Sequence, residues 1–212
     1  MTFALLPVKA RCDAKQRLSG FLSAPQREAL ARVMYEEVLE KIMAARGIDR
    51  VAVATSDESA ATHARRSGAM VFEEREQRGH SHSADAAARR AIELGATTVL
   101  LLPIDVPLVT TGEIETLAAA ARPGVIIVPS ADGTGTNALV RTPPDVIESR
   151  FGSDSFYAHL EQARVRGVTA EVMRPAGLLL DIDTPEDLAE LLARAPACRT
   201  AALLRAQWTS AS

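Results

Sequence analysis

Cysteine is scarce in this chain: Cys12 and Cys198 are its only two, and neither stands in a metal-ligand spacing. That argues against a disulfide framework or a cysteine-built zinc site, and fits two inert thiols in a reducing compartment. Charge of one sign is scarce as well. The 24 Lys and Arg against 27 Asp and Glu leave a net charge of -3 and a pI near 5.9. So balanced a chain has no overall pull toward nucleic acid or an anionic membrane, and any anion site has to be local. No apolar run approaches the roughly 20 residues that span a bilayer, and the first residues lack the charged-then-apolar order of a secretion signal. Internal repeats and low-complexity linkers are also missing. A cytoplasmic protein of one domain over residues 1–212 is expected, with 47% apolar residues to build its core.

Short apolar runs recur at 3–8, 51–55, 69–73, 97–103 and 124–129, each bounded by turn residues or charge, as buried parallel strands are. Segments of helical period lie between them at 24–47, at 83–95 and at 110–121, the last with the capping pattern Thr110-x-x-Glu113. This alternation predicts an α/β sandwich around a mostly parallel sheet. In the second half, "SFYAHLEQARVRG" reads as a helix and "VTAEVM" as a strand. "GLLLDIDTPEDLAELLARA" reads as a strand that delivers Asp181 and Asp183, followed by a helix capped by Thr184 with Pro185 and Asp187 in its first turn. Residues 199–212 are weakly amphipathic and expected to be loosely held.

Three features sit at carboxyl ends of these strands, where open α/β sheets bind ligands. "LLPVKARCDAKQRLSG" (5–20) gathers Lys9, Arg11, Lys15 and Arg17, either a phosphate grip or a solvated loop. "LLLPIDVPL" (100–108) ends an apolar run on Asp105, and "LLLDIDTPEDL" (178–188) on Asp181 and Asp183. A carboxylate at such an edge is costly without a partner, so the two clusters together predict one divalent ion, Mg²⁺, bridging phosphates. Taken singly, each aspartate reads equally as a turn or cap residue. "DGTGTN" (132–137) and "FGSDSF" (151–156) offer backbone donors and hydroxyls to an anion, or simply form turns. His80 and His82, two apart without cysteine, make a poor metal pair.

In order and spacing, "PVKARCDAKQRLS", "GHSHSADAA", "LLPIDVPL", "GTGTNAL", "RFGSDSF" and "LLLDIDTPEDL" resemble the 2-phospho-L-lactate guanylyltransferase family of coenzyme F420 biosynthesis, over about residues 3–195. The resemblance implies a single-domain nucleotidyltransferase of glycosyltransferase-A type, with a Rossmann-like sheet, using GTP and Mg²⁺. It places Lys9, Lys15 and Arg17 on the triphosphate and makes Asp105 and Asp181 the metal-binding aspartates, with Asp183 as helper. Lys15, Arg17, Gly79 and Asp85 become nucleotide-binding positions, and Thr136, Gly152 and Ser155 the grip on a phosphorylated three-carbon acid. The acid's phosphate oxygen would attack the α-phosphorus of GTP, and pyrophosphate would leave without a protein nucleophile. Phospholactate, phosphoenolpyruvate and 3-phosphoglycerate are equally open as acceptors. Where the family commonly has Leu-Asn, this chain has Ala84-Asp85; a carboxylate there suits the two-donor edge of guanine or serves as a helix-terminus charge. The alternatives are a molybdopterin-type or sugar-phosphate nucleotidyltransferase of the same fold, or a nucleotide-sensing domain without turnover. No nucleic-acid or membrane partner is expected, and a homodimer is a fair prior.

Overall fold

The computed structural model describes residues 1–9, 15–74, 79–194 and 197–209. Arg11 and Cys12 of the basic loop lie outside them. The strands are β1 (Thr2–Val8), β2 (Arg50–Thr55), β3 (Met70–Glu73), β4 (Thr98–Leu101), β5 (Gly124–Pro129), β6 (Thr136–Thr142) and β7 (Ala170–Val172). They form one sheet in the order β3-β2-β1-β4-β6-β5-β7. All neighbours run parallel except β6, which is antiparallel to both β4 and β5. The helices are α1 (Ala24–Met43), α2 (Glu58–Arg66), α3 (His80–Glu93), α4 (Thr111–Ala120), α5 (Ser155–Val165), α6 (Pro185–Arg194) and α7 (Arg199–Thr209).

Beyond Thr2 and Thr98 at their starts, the central strands β1 and β4 are apolar because both faces of the sheet are covered. Ala4, Leu6 and Val8 of β1 point into a core closed by Tyr35, Val38 and Ile42 of α1 and by Ile114 and Leu117 of α4. Phe3 and Leu5 point to the opposite core, closed by Ala84, Ala87, Ala88 and Ala91 of α3 and by Phe156 and Ala163 of α5. The alanine stripe lets α3 lie close to the sheet. A third, smaller cluster joins Leu18 and Leu22 to Leu30 and Met34 of α1, Leu180, Ile182, Leu188 and Leu191 around α6, and Leu204 of α7.

The expected α/β sandwich is present, with its five apolar runs as strands, and both capping boxes form at Thr110–Glu113 and Thr184–Asp187. Helix α2 escaped the sequence pattern because its buried face is Ala60, Ala61 and Ala64 alone. Its real signal was Asp57, whose carboxylate accepts the Ser59 and Ala60 N–H groups. One expectation is corrected. Residues 178–183 form no strand: after a 3₁₀ turn at Ala176–Leu178 the segment stays out of the sheet. Within the tail expected to be loosely held, residues 199–209 form α7. Buried Glu37 of α1 accepts hydrogen bonds from the N–H groups of Arg199 and Thr200 and from the Thr200 hydroxyl, which pins the start of α7. Charge at a helix N-terminus and three donors on one carboxylate are together worth on the order of 2 kcal/mol. Glu37→Ala is therefore expected to lower the melting temperature by several degrees, and Glu37→Gln by less; equal melts for both variants and the parent would remove this role.

Candidate active site

The strand order reverses direction at β1: β2 and β3 lie on one side, β4 on the other. Crossovers leave such a switch point open at the carboxyl edge of the strands. Lys9 follows β1 there, and Asp105 follows β4 after the Pro103 turn. Because β6 runs antiparallel, its first residues, Thr136 and Asn137, begin at that same edge. The result is a cleft of about 1010 Å³ lined by Lys9, Lys15, Arg17, His80, Asp105, Thr136, Asn137, Gly152, Ser155, Asp181 and Asp183 among others.

Lys15 is the centre of the charge arrangement. Its Nζ donates to Asp105 Oδ2 at 2.7 Å and to Asp183 Oδ1 at 2.8 Å, with only 7% of the side chain exposed. The backbone reaches this position through a left-handed turn at Lys15, φ +53°, which a β-carbon disfavours and the two ion pairs offset. Burial works against the Lys15 charge, but the two aspartates outweigh it and its pKa is raised. Burial likewise pushes the Asp105 carboxyl up, and Lys15 more than reverses this, leaving it below the usual range. Arg17, 74% exposed, approaches Asp183 at 3.5 Å with its guanidinium free to turn outward.

Asp181 stands apart from this pairing. Its contact is Asn137, whose Nδ2 lies 3.0 Å from Oδ1 and also reaches the carbonyl oxygens of Leu178 and Leu179. Burial and the neighbouring Asp105 charge raise its pKa, against the lowering from Asn137. The 178–183 segment is further fixed by the Ile182 N–H on the Asp105 carbonyl and by the Gly177 N–H on Glu113. Gly177 has to be glycine: a methyl there would press into the Leu108 carbonyl oxygen and the Glu113 carboxylate.

Across the cleft, the turn before β6 is organised by Asp132, whose oxygens accept from the Ser130 and Thr134 hydroxyls and the Thr134 N–H. These bonds hold its pKa down at about 2. Gly152, at φ +127°, opens the loop that leads into α5 at Ser155. His80, at the start of α3, stacks edge-on against Phe151 at 4.7 Å; burial lowers its pKa to about 4, so the ring is neutral beside Asp105.

Two of the nucleotide-binding positions fall elsewhere. Gly79 caps α3 at φ +102° outside the cleft lining. Asp85 is also outside the cleft lining: its oxygens accept from the buried Arg141 guanidinium at 2.8 Å and from the N–H and hydroxyl of Ser149. A guanidinium that is 1% exposed needs a counter-charge, and Asp85 supplies it. Sequence reasoning gave no role to Asn137, although it stands inside the quoted "GTGTNAL", and none to His159, which has no motif around it.

No three carboxylates or imidazoles converge in metal-caging geometry among the described residues. Mg²⁺ does not need such a cage, since it commonly takes one or two carboxylates, water and substrate phosphate oxygens. Asp105 and Asp181 fit that donor set: they are close enough for the charge of one to raise the pKa of the other, and among the described residues no cation is paired with Asp181.

A family model described as "Guanylyl transferase CofC like" matches residues 2–208. The chain belongs to that family. It is a nucleotidyltransferase of the guanylyl-transferring kind. Similar curated proteins include a phosphoenolpyruvate guanylyltransferase of Conexibacter woesei, 38% identical over 88% of this chain and 85% of that one. A 3-phospho-D-glycerate guanylyltransferase of Colwellia psychrerythraea is 36% identical over 91% of each chain. A 2-phospho-L-lactate guanylyltransferase of Methanothermobacter thermautotrophicus is 34% identical over 90% and 84%. Among solved structures, a nucleotidyl transferase from Methanothermobacter superposes with a TM-score of 0.68 at 17% identity, covering 90% of this chain and 95% of that one. A cytidylyltransferase from Leptospira borgpetersenii does so with 0.62 at 13%, covering 99% and 94%. At such identities these two establish the fold alone, a Rossmann-like nucleotidyltransferase sheet.

Proposed function

We propose that this guanylyltransferase transfers GMP from GTP to a phosphorylated three-carbon acid and releases pyrophosphate. The observation that carries the reading is the meeting of three separately encoded sets on one cleft: the cations Lys9, Lys15 and Arg17, the carboxylates Asp105, Asp181 and Asp183, and the acceptor side Thr136, Gly152 and Ser155. The cations hold the triphosphate and neutralise charge that develops on departing pyrophosphate. The Thr136 hydroxyl and the donors around Gly152 and Ser155 orient the acid's phosphate toward the α-phosphorus. One of its oxygens, already ionised at neutral pH, forms the new P–O bond while the bond to the β-phosphate bridge breaks, so no protein base or nucleophile is needed. Asp105 and Asp181, with Asp183 in support, would hold a Mg²⁺ ion, which would supply neutralisation of phosphate charge.

The test is pyrophosphate release with GTP, ATP or CTP against phosphoenolpyruvate, 2-phospho-L-lactate and 3-phospho-D-glycerate, with mass spectrometry of the capped product. One GTP–acid pair should exceed all ATP and CTP pairs by tenfold or more, as roughly 1.4 kcal/mol of base discrimination requires. Turnover of a sugar phosphate in preference to all three acids would replace this reading with the sugar-phosphate one; nucleotide binding without release of pyrophosphate would replace it with sensing.

A further inference from the structure

His159 lies on the first turns of α5, entirely buried, with both ring nitrogens engaged. Its Nε2 is 2.9 Å from the Arg150 backbone nitrogen, and its Nδ1 is 3.0 Å from the Thr136 hydroxyl oxygen. A backbone N–H is always a donor, so Nε2 has to present its lone pair. A neutral imidazole then carries its one proton on Nδ1. Nδ1–H donates to Thr136 Oγ1, and the Thr136 hydroxyl proton is left free to point elsewhere. Thr136 is a cleft-lining residue, so that elsewhere is the cleft.

The surroundings hold the ring in this state. Phe151 packs edge-on against it at 5.4 Å. Burial and, to a smaller extent, the nearby Arg141 charge lower its pKa, Asp85 opposes them, and the balance holds it at about 4. A second proton would also set N–H against N–H at Arg150. Arg141 and Asp85 are the charges that act on the ring, and the Arg150 N–H and the Thr136 hydroxyl are its hydrogen-bond partners.

From these bonds we propose that His159 is a positioning residue for the acceptor acid: as the Nδ1–H tautomer it fixes the Thr136 hydroxyl as a hydrogen-bond donor aimed at the acid's anionic oxygens. The same ring ties the start of β6 to the loop carrying Gly152, so both acceptor-side elements are registered on one buried group. The inference rests on the reading that Thr136 faces the acid.

Long-range ¹H–¹⁵N correlation spectra of the unliganded protein read the tautomer directly. His159 should show a protonated Nδ1 and an unprotonated Nε2, unchanged between pH 5.5 and 8. A protonated Nε2, or titration inside that range, overturns the proposal without any variant. Kinetics with GTP and phosphoenolpyruvate form the second arm. Thr136→Val should raise KM for the acid roughly tenfold or more while KM for GTP stays within about threefold, as the loss of one bond to a charged group requires. His159→Gln, which keeps an acceptor for Arg150 but no donor for Thr136, should show the same split, and the double variant should be no worse than Thr136→Val alone. His159→Asn, with an N–H near the Nδ1 position, should recover most of the lost acid affinity. If Thr136→Val leaves the acid KM unchanged, the acceptor reading falls and this inference with it. If Thr136→Val shows the split and His159→Gln does not, or raises both KM values together, the inference alone falls.

Discussion

Asp181→Asn should melt higher than the parent at neutral pH and turn over at least a hundredfold more slowly, whereas Asp105→Asn should lose both stability and activity. Two aspartates at one cleft edge diverge because, among the described residues, only one has a counter-charge. Asp105 bonds the buried Lys15 ammonium at 2.7 Å and its pKa is lowered. It contributes stability above the ordinary aspartate range, and that contribution is lost as pH falls through its lowered folded value. Asp181 has burial and the Asp105 charge against it and its pKa is raised. Its folded state favours the proton, so its contribution is present at acid pH and is lost as pH rises through the folded value; when ionised at pH 7 it weighs against the fold. Asparagine removes that charge and keeps an oxygen for the Asn137 amide. Loss of a buried hydrogen-bonded charge makes Asp105→Asn less stable by on the order of 2 kcal/mol. On the proposed function activity falls in both, because each carboxylate would be a Mg²⁺ ligand, and losing one would misplace the charge that neutralises the transition state. The measurement is a thermal melt from pH 3.5 to 8 with pyrophosphate release on the same preparations. The gap between Asp181→Asn and parent should be widest at pH 7 and close toward pH 4. Parallel melts for the two variants, or near-parent turnover in either, would contradict the assignment.

Lys15→Met should be the most damaging change to the basic loop. It leaves Asp105 and Asp183 without their shared ammonium, beside Asp181, whose partner is the neutral Asn137 amide, and the exposed Arg17 at 3.5 Å from Asp183 is a weak substitute. Removing one member of a buried ion pair commonly costs about 3 kcal/mol because the partner charge stays behind. That loss should shrink as pH falls and the carboxylates take up protons. Millimolar Mg²⁺ should restore part of the melting temperature in Lys15→Met and change the parent little, because the ammonium already fills the role of cation there. GTP affinity and turnover should fall roughly a hundredfold. Lys15→Arg should not rescue them, since a planar fork does not reproduce a point charge between two oxygens 2.7 and 2.8 Å away. Unaltered melting and GTP affinity in Lys15→Met would return the loop to a solvated surface.

Much of this site was legible before any coordinates. Apolar runs that stop abruptly on charge mark strand ends, and strand ends of an open α/β sheet converge, so Lys9 and Asp105 could be assigned to one edge from their places in the pattern, whereas the pattern places Asp181 there through a strand that does not form. Two kinds of information were not there. The first is partnership across distance: the carboxylates had no cation nearby in sequence, yet Lys15 meets Asp105 across 90 positions and Asp183 across 168. The same holds for Asp85, whose partner Arg141 is 56 positions away. The second is the difference between alternating burial and a strand. Leu178, Leu180 and Ile182 are buried in alternation as a strand requires, but no neighbouring strand pairs with them. Side-chain bonds from Asn137 and Glu113 take the place of the ladder. A pattern of period two reports which side chains go inside, not what the backbone bonds to.

The small third core has a consequence for the order in which the protein is made. Leu18, directly behind the cationic turn, packs in one cluster with Leu180 and Ile182, which flank Asp181, and with Leu204 of α7. Nearly the whole length of the chain separates the first of these residues from the last, and contacts so distant in sequence close late in folding. Lys15 and Asp105 both lie in the first half of the chain and can meet as soon as β1 and β4 pair, whereas Asp181 and Asp183 reach the same edge only after residues 178–183 have been made. One side of the cleft is thus supplied by the part of the chain made last, and Leu180 and Ile182 anchor it against Leu18, which was made near the start.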